Sequence, residues 1–276
     1  MMRLRPSYGA LFAAGLSLAG CSSTAEARSA GPRRAQALGV VVEQMYPHAR
    51  DAFTEGLVYR GGWLYESTGL EGASSLRRVE TETGRIDAAV SLPGDVFGEG
   101  LAAVGSRLVQ LTWRSGRAFV YGLDSMQVER ELRYDGEGWG LCHDGERLVM
   151  SDGSSVLQFR DPETFELVGS VEVRHEGAPV TRLNELECVG TDVYANIWLT
   201  RRIVRIDVAS GEVTGLVDVG DILSRDGVGD ISGVDVLNGI VYLPGRDRFL
   251  ITGKYWPRVF EVAFVPRASG AAAAVE

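Results

Sequence analysis

The chain has 276 residues, of which 45% are hydrophobic and 24% are charged. This composition is that of a globular protein with enough apolar residues for one large core or two small ones. The net charge of −9 argues against nucleic acid as a partner, because nucleic acids are polyanions, and it is compatible with a neutral or weakly cationic small substrate.

The first residues have the pattern of a secretion signal. Arg3 and Arg5 precede the apolar run Ala10–Gly20, which is too short to remain in a bilayer as a spanning helix. We therefore predict a signal peptide over residues 1–20.

The end of this run resembles a bacterial lipobox. Residues 18–21 read LAGC, which implies cleavage before Cys21 and lipidation of its thiol. Ser22 follows where an aspartate would favour the inner membrane, and residues 21–36 are small, polar and arginine-rich, as in a tether. The pattern predicts a lipoprotein on the periplasmic face of the outer membrane. The alternative is an ordinary secretory signal with an incidental cysteine, which would release the protein into the periplasm.

A short motif then recurs along the chain. Residues 53–57 read FTEGL and residues 97–101 read FGEGL, and weaker copies follow as EGWGL at 137–141, NEL at 184–186 and NGI at 238–240. The copies are about 40–50 residues apart, which is the span of one propeller blade. A repeated strand needs no chemistry, so its glycine and leucine are expected to be packing and turn residues.

Each copy is followed by two further predicted strands. The second strands are at residues 63–67, 107–112, 147–151, 192–198 and 248–252, and the third strands are at 76–84, 119–124, 156–163, 203–211 and 259–264. They show period-two alternation, β-branched residues and Gly, Asp or Pro at their ends. Leu216–Val236 is longer than the other connections and rich in Asp and Gly, which is typical of a lid or of a plain loop.

The repeat predicts an all-β fold. The fifth unit lacks a fourth strand, whereas Leu38–Gln44 is a spare strand at the other end of the chain. An N-terminal strand that completes the last unit would close the ring and remove the open sheet edges. We therefore predict a five-bladed β-propeller over residues 37–266, with the N-terminal strand closing the last blade and a C-terminal tail over 267–276.

Propeller topology places the polar residues of the repeat at one mouth. The first strand of each blade lines the central channel and the second strand runs back, so the start of one and the end of the other share a rim. That rim is predicted to carry Glu55, Glu99, Glu137, Asn184 and Asn238 together with Ser67, Trp113, Asp152, Trp198 and Lys254. A concave mouth with polar groups and aromatic rings is the usual place for a binding site.

Residue usage points to the same rim. Lys254 is the only lysine, and arginine supplies every other cationic side chain, which suggests a role for a compact ammonium. The alternative is an ordinary exposed lysine at a strand end. The only asparagines, Asn184, Asn196 and Asn238, lie on predicted strands rather than in turns, their usual place.

Three tryptophans are predicted to lie near the mouth. Trp113, Trp139 and Trp198 could form a wall for an apolar or amide-bearing ligand, and packing between blades is the alternative for each. Trp63 and Trp256 are expected to be packing residues.

The remaining cysteines, Cys142 and Cys188, would lie in an oxidising compartment. No CxxC or Cys/His cluster is present and the three histidines are scattered, so neither a zinc site nor a Ser-His-Asp triad is expected. When Leu141 is aligned with Leu186, the cysteines face opposite ways on adjacent blades. Opposite faces of neighbouring blades meet, so we predict a Cys142–Cys188 disulfide.

The sequence resembles the plant-type glutaminyl-peptide cyclotransferases, which also occur in bacteria. The resemblance rests on the segments FTEGL, YESTG, SLRRVETETG, FGEGL, QLTW, EGWGL, SDGS, NELE, NIW, RIVRIDVASG and TGKYWP, and it covers Phe53–Val265. It implies a five-bladed propeller that converts the N-terminal glutamine of peptides or proteins to pyroglutamate with release of ammonia. It also implies that no metal or other cofactor is needed.

The resemblance further implies site residues. Glu99 matches the glutamate that serves as catalytic acid and base in the family, and other family site residues match Trp113, Trp139, Asn184, Trp198 and Lys254. The plant enzymes tend to carry glutamine where this chain has Glu55, which could hold the α-amine or tune Glu99. We assign catalysis to Glu99, Lys254 and Asn184, and substrate binding to Glu55, Trp113, Trp139, Trp198 and Gln110.

Two other functions remain compatible with the sequence. Glu55, Glu99, Asn184 and Asn238 could hold Ca²⁺, as in lactonase-like propeller hydrolases. The fold could also be a non-catalytic propeller that binds peptides without releasing ammonia.

Overall fold

Strands dominate the part of the chain that the computed structural model describes, residues 34–267. In this range the helical structure is a single 3₁₀ turn, Ile222–Ser224, and no helix is long and apolar enough to cross a membrane. The predicted signal peptide, the predicted lipidation site Cys21, the predicted tether up to residue 33 and the tail from residue 268 lie outside the described residues.

Three sheets of four antiparallel strands follow one another along the described chain. The first contains β2 (Thr54–Arg60), β3 (Trp63–Thr68), β4 (Ser75–Glu80) and β5 (Ile86–Ser91). The second contains β6 (Gly98–Val104), β7 (Arg107–Thr112), β8 (Arg117–Gly122) and β9 (Val128–Arg133). The third contains β10 (Leu141–His143), β11 (Leu148–Met150), β12 (Val156–Arg160) and β13 (Leu167–Glu172). A hairpin of β14 (Arg174–His175) and β15 (Ala178–Pro179) comes next.

The remaining strands form one sheet in the order β16-β17-β18-β19-β1-β22-β21-β20. They are β1 (Gln36–Pro47), β16 (Leu183–Val189), β17 (Asp192–Ile197), β18 (Arg202–Asp207), β19 (Val213–Asp218), β20 (Leu237–Leu243), β21 (Arg248–Gly253) and β22 (Arg258–Pro266). Strand β1 pairs antiparallel with β22, so the predicted pairing of the N-terminal strand with the last unit is confirmed. Its first residues, Gln36–Gly39, also pair in parallel with β19, which the sequence did not predict.

The first strand of each unit lies beside the first strand of the next, in the order β2, β6, β10, β16 and β20, and β20 lies beside β2. Glycines of the repeated motif allow this close approach. A Cβ atom on Gly56 would lie 2.5 Å from the backbone nitrogen of Leu101, and one on Gly140 would collide with the carbonyl oxygen of Asn184. The packing role predicted for the repeated glycine is therefore confirmed.

The apolar core lies between successive sheets because alternate residues of each inner strand face opposite neighbours. On β10, Leu141 packs in a buried cluster with residues of the second sheet, whereas Cys142 packs in a cluster with residues of β16–β18. Cys142 is bonded there to Cys188, and their Cα atoms are 5.5 Å apart. The disulfide thus ties β10 to β16.

Candidate active site

β-Bulges occur on the first strands where the polar residues of the repeat lie. The pairing register shifts at the start of β2, β6, β16 and β20. A bulge bends its strand and re-aims the side chain that it carries. The bulged segments contain Glu55, Glu99, Asn184 and Asn238, all of which are buried.

Glu55 is at the centre of a buried polar cluster. Its Oε1 accepts a hydrogen bond from Nζ of Lys254 at 2.7 Å, and its Oε2 accepts one from Nδ2 of Asn238 at 2.9 Å. The carboxyl group of Glu99 lies near enough to Glu55 and Lys254 for both to act on its protonation. The fold thus brings Glu99 and Lys254 together through Glu55, although the three residues come from distant parts of the chain.

Burial controls the protonation of these two carboxyl groups. It raises the pKa of Glu55 to about 7, even though Lys254 acts in the opposite direction. Burial also raises the pKa of Glu99 well above its ordinary value, and the neighbouring Glu55 raises it further. The sequence left open whether burial or Lys254 would dominate at Glu99, and burial does. Because like charges repel, the negative charge of either carboxyl group makes ionisation of the other less favourable.

Aromatic rings line one side of this cluster. Phe53 lies 5.2 Å from Tyr255 and 5.9 Å from Phe97, and Phe97 lies 5.8 Å from Trp113, measured between ring centroids. The ammonium of Lys254 lies 4.3 Å from the centroid of the Phe53 ring, which is a cation–π distance. The two phenylalanines and Tyr255 were not among the predicted site residues. The signal for the phenylalanines was available, because each opens a copy of the motif.

The wall continues through the predicted tryptophans. Trp139 packs edge-on against Trp198 with a centroid distance of 5.4 Å. Trp113 and Trp139 are joined by Glu137, whose Oε2 accepts both indole N–H groups at 2.8 and 3.0 Å. All three indoles are partly exposed, as a substrate-facing wall requires.

Asn184 has a buried oxygen that is free to bind a donor. The residue is 3% exposed, and its backbone oxygen accepts a hydrogen bond from Oγ of Ser151 at 2.7 Å. Its side-chain Oδ1 has no hydrogen-bond partner among residues 34–267. An unpartnered buried acceptor is costly, which suits a group that binds an N–H of a ligand.

Comparison with known proteins identifies the family. The family model described as glutamine cyclotransferase matches residues 12–264, which is most of the chain. The chain belongs to the glutamine cyclotransferase family. The resemblance inferred from the sequence is therefore confirmed.

Two relatives of this cyclotransferase support the assignment. Glutaminyl-peptide cyclotransferase from Arabidopsis thaliana is 38% identical over 235 residues, covering 83% of this chain and 72% of that protein. The crystal structure of Myxococcus xanthus glutaminyl cyclase is 42% identical in sequence, has a TM-score of 0.79, and covers 85% of this chain and 100% of its own.

Gln110, which was predicted to bind substrate, is buried and hydrogen-bonded inside the fold. It is 0% exposed, its Nε2 donates to Oγ of Ser67 at 2.7 Å, and its Oε1 accepts from the hydroxyl of Tyr121 at 2.9 Å. Ser67 Oγ in turn donates to the backbone oxygen of Glu99. The amide of Gln110 is thus committed to internal hydrogen bonds, and through Ser67 it is linked to the backbone of Glu99.

The long segment Leu216–Val236 ends beside Lys254. The backbone N–H of Lys254 donates to the oxygen of Val236 at 3.0 Å, and that of Asp235 donates to the oxygen of Lys254 at 2.9 Å. Trp256 is 4% exposed and its Nε1 donates to the oxygen of Asp235, which confirms its predicted packing role. This segment therefore positions the lysine of the site.

A buried His48–Glu66 pair, which was not predicted from the sequence, contacts residues next to the site. Glu66 Oε1 accepts a hydrogen bond from Oγ1 of Thr54 at 2.7 Å and lies 2.9 Å from Nε2 of His48. Nδ1 of His48 lies 2.8 Å from the oxygen of Trp256. Burial alone would lower the pKa of His48, but the Glu66 carboxylate raises it overall. Both ring nitrogens face acceptors, so the charged imidazolium fits this place.

The calcium alternative meets an electrostatic obstacle at Glu55. Among residues 34–267, no group of three or more His, Cys, Asp or Glu side chains is arranged to hold a metal ion. The ammonium of Lys254 contacts the Glu55 oxygen that a cation would need, and like charges repel there.

Proposed function

We propose that this member of the family is a glutaminyl-peptide cyclotransferase, which converts the N-terminal glutamine of peptides or proteins to pyroglutamate. The observation that carries the proposal is the Glu99–Glu55 carboxyl pair, in contact with the only lysine of the chain and beside a wall of aromatic rings. The carboxyl pair can carry a proton, the lysine can donate a hydrogen bond to an oxyanion, and the aromatic rings can enclose an amide side chain.

The reaction is intramolecular. The α-amine nitrogen attacks the γ-amide carbon of the same residue, the new C–N bond closes a five-membered ring, and the bond to the amide nitrogen breaks to release ammonia. The substrate already carries both reacting groups, so the enzyme mainly holds the chain in the conformation of attack. The indoles of Trp113, Trp139 and Trp198 enclose the glutaminyl side chain in that conformation.

Glu99 is the proton carrier of this proposal. The α-amine, whose ordinary pKa is about 7.7–8.0, must lose a proton, and the leaving nitrogen must gain one. One carboxyl group can take the proton from the first nitrogen and give it to the second, because both nitrogens are bonded to the same carbon once the ring has closed. Burial raises the pKa of Glu99, which makes its carboxylate a stronger base for the amine proton. Glu55 tunes Glu99 through its charge, which raises the pKa of Glu99 further.

Lys254 and Asn184 bind the two ends of the reacting amide. The ammonium of Lys254 donates to the oxyanion that develops on the γ-amide oxygen, a contribution often worth about 3–4 kcal/mol for one donor. Asn184 was expected to donate to the same oxyanion. Its unpartnered atom is the acceptor Oδ1, so we assign it to an N–H of the substrate.

Blade number and location complete the proposal. We count the three four-stranded sheets and the two halves of the eight-stranded sheet as five blades around the ring of first strands. We also propose that lipid on Cys21 anchors the protein to the periplasmic face of the outer membrane, on the strength of the lipobox-like sequence. Replacement of Cys21 by alanine should abolish incorporation of radiolabelled palmitate; unchanged incorporation would contradict the anchor.

An ammonia-release assay with glutamine-initiated dipeptides tests the activity. We expect turnover that survives a chelator, and a loss of about 10²–10⁴-fold in the Glu99→Gln variant with an unchanged circular dichroism spectrum. The exposed Glu166 provides a matched control, because Glu166→Gln should keep full activity.

The other two functions give different results in the same assay. Loss of activity on chelation, or hydrolysis of esters, would favour a calcium-dependent hydrolase. Peptide binding without ammonia release would favour the non-catalytic propeller. Full activity of Glu99→Gln would contradict the assignment of proton transfer to Glu99.

A further inference from the structure

Glu137 differs from the other polar residues of the repeat. It precedes β10 instead of lying in a bulged strand, and its carboxylate is about one-third exposed, at 35%. Both of its oxygens are used. Oε2 accepts the indole N–H groups of Trp113 and Trp139, and Oε1 accepts Nε of Arg114 at 2.8 Å.

The two indole hydrogen bonds fix the orientation of the substrate wall. An indole has one polar atom, its N–H, so a bond at that atom sets the rotation of the ring about its own axis. Trp113 and Trp139 share a single acceptor atom, which also fixes their separation. Trp198 packs on Trp139, so its position depends on the same carboxylate.

Arg114 holds this carboxylate from the other side. Its guanidinium lies 3.7 Å from the centroid of the Trp113 ring, in addition to its hydrogen bond with Glu137. The ring is thus held at its edge by Glu137 and over its face by Arg114. Charge-assisted hydrogen bonds of this kind are stronger than neutral ones.

The charge of Glu137 also acts on the carboxyl pair of the site. Burial would raise the pKa of Glu137, but the three hydrogen bonds from Trp139, Arg114 and Trp113 lower it overall. The group is therefore ionised near neutral pH. Its negative charge is one of the causes that raise the pKa of Glu99.

We infer that Glu137 is a positioning residue for the cyclisation: its carboxylate fixes Trp113 and Trp139 as the wall of the glutaminyl pocket and places a permanent negative charge near Glu99. The inference rests on the proposed function, since the wall is the one that would enclose the substrate side chain. It assigns Glu137 no contact with the reacting atoms.

Two substitutions separate the hydrogen bonds of Glu137 from its charge. In Glu137→Gln the amide oxygen can still accept both indole N–H groups, whereas in Glu137→Ala no acceptor remains. We expect the KM for glutamine dipeptides to rise about tenfold or more in Glu137→Ala, because each lost bond to a charged group weakens the wall. The KM should stay within about threefold of the wild-type value in Glu137→Gln.

The pH profile reports the charge. Glu137→Gln removes a like charge from the neighbourhood of Glu99, so the limb of the kcat profile that reports the carboxyl pair should move to lower pH. Glu166→Gln is the matched control, because it removes a carboxylate at an exposed position outside the site. Its profile should not move, and its KM should remain within about threefold of wild type.

Near-UV circular dichroism tests the wall without any turnover. Fixed indoles give structured bands, so Glu137→Ala should lose band intensity while Glu137→Gln keeps it. If wild-type protein released no ammonia, the proposed function would fail, and these spectra would still decide whether Glu137 orders the wall. Wild-type spectra and KM in Glu137→Ala would overturn the inference, as would a Glu137→Gln profile that does not move.

Discussion

Replacement of Lys254 by methionine tests how charge is balanced in the buried cluster. Lys254 and Glu55 are 6% and 1% exposed, and their charged atoms are 2.7 Å apart. Methionine keeps most of the length and apolar volume of the lysine side chain but removes its charge. The variant therefore isolates the electrostatic part of the interaction.

The expected loss of stability depends on pH because Glu55 can take up a proton. The pKa of Glu55 in the folded protein is raised to about 7, above the ordinary value of 4.5. Stability linked to such a group is complete below the unfolded pKa and is lost as pH rises through the folded pKa. Without Lys254 the folded pKa rises further, so the loss continues to higher pH than in the wild type.

The size of the stability loss follows from the difference in the pKa of Glu55 between the wild type and the variant. At about pH 5.5 the Glu55 carboxyl group is protonated in both proteins, so the variant loses the cation–π contact with Phe53 and the hydrogen bond from Lys254 to Glu55, which together cost about 2 kcal/mol. At about pH 9 Glu55 is ionised in the wild type but stays protonated in the variant. The pKa of Glu55 is therefore at least about two units higher in the variant. At about 1.4 kcal/mol per unit, the added loss approaches about 3 kcal/mol.

Urea unfolding at the two pH values measures this effect. The double variant Lys254→Met/Glu55→Gln should lose the pH-dependent part, because glutamine cannot ionise. Arg174→Met breaks an ion pair with Glu172 in which both side chains are more than 40% exposed, and it should cost less than about 1 kcal/mol at either pH. An equal loss for Lys254→Met at both pH values would refute the reasoning.

Three further changes test the fold around the site. Cys142→Ala removes a disulfide that spans 46 residues of sequence, so the free energy of unfolding should fall by about 4 kcal/mol; a stability indifferent to reductant in the wild type would contradict this. Gly140→Ala drives a Cβ atom into the carbonyl of Asn184 and should cost about 3 kcal/mol, which a normal thermal transition would disprove. The charged His48–Glu66 pair should stabilise the protein fully between about pH 4.5 and 6.5, the ordinary pKa values of the two groups, and less as pH rises through the raised pKa of His48 or falls through the lowered pKa of Glu66. Glu66→Gln should lose this pH dependence. If the stability of the variant and of the wild type changed with pH in parallel, the charged pair would be contradicted.

Local pattern was sufficient to locate the first three strands of each unit. The second strand of the second unit was predicted at residues 107–112, and β7 is Arg107–Thr112. Alternation of apolar and polar residues and the turn residues at strand ends are properties of short segments, so they can be read without a fold. The spare N-terminal strand also indicated its partner, because the last unit was one strand short.

Contacts between distant segments were harder to predict from the sequence. The parallel pairing of β1 with β19 and the bulges that re-aim Glu55 and Glu99 depend on how neighbouring strands meet. Phe53 and Phe97 were recoverable in principle, since each precedes a repeated glutamate motif. The His48–Glu66 pair left no signal, because its two residues share no motif.

By itself, the sequence determined the repeating β units, the family, and the group of Glu99, Lys254 and the tryptophans as the residues of interest. The tertiary structure decided which atoms of these residues meet and how they are charged. The physical reason is that a motif specifies residue types, whereas the pKa of Glu99 and the free oxygen of Asn184 depend on burial and on partners that only the folded chain brings together.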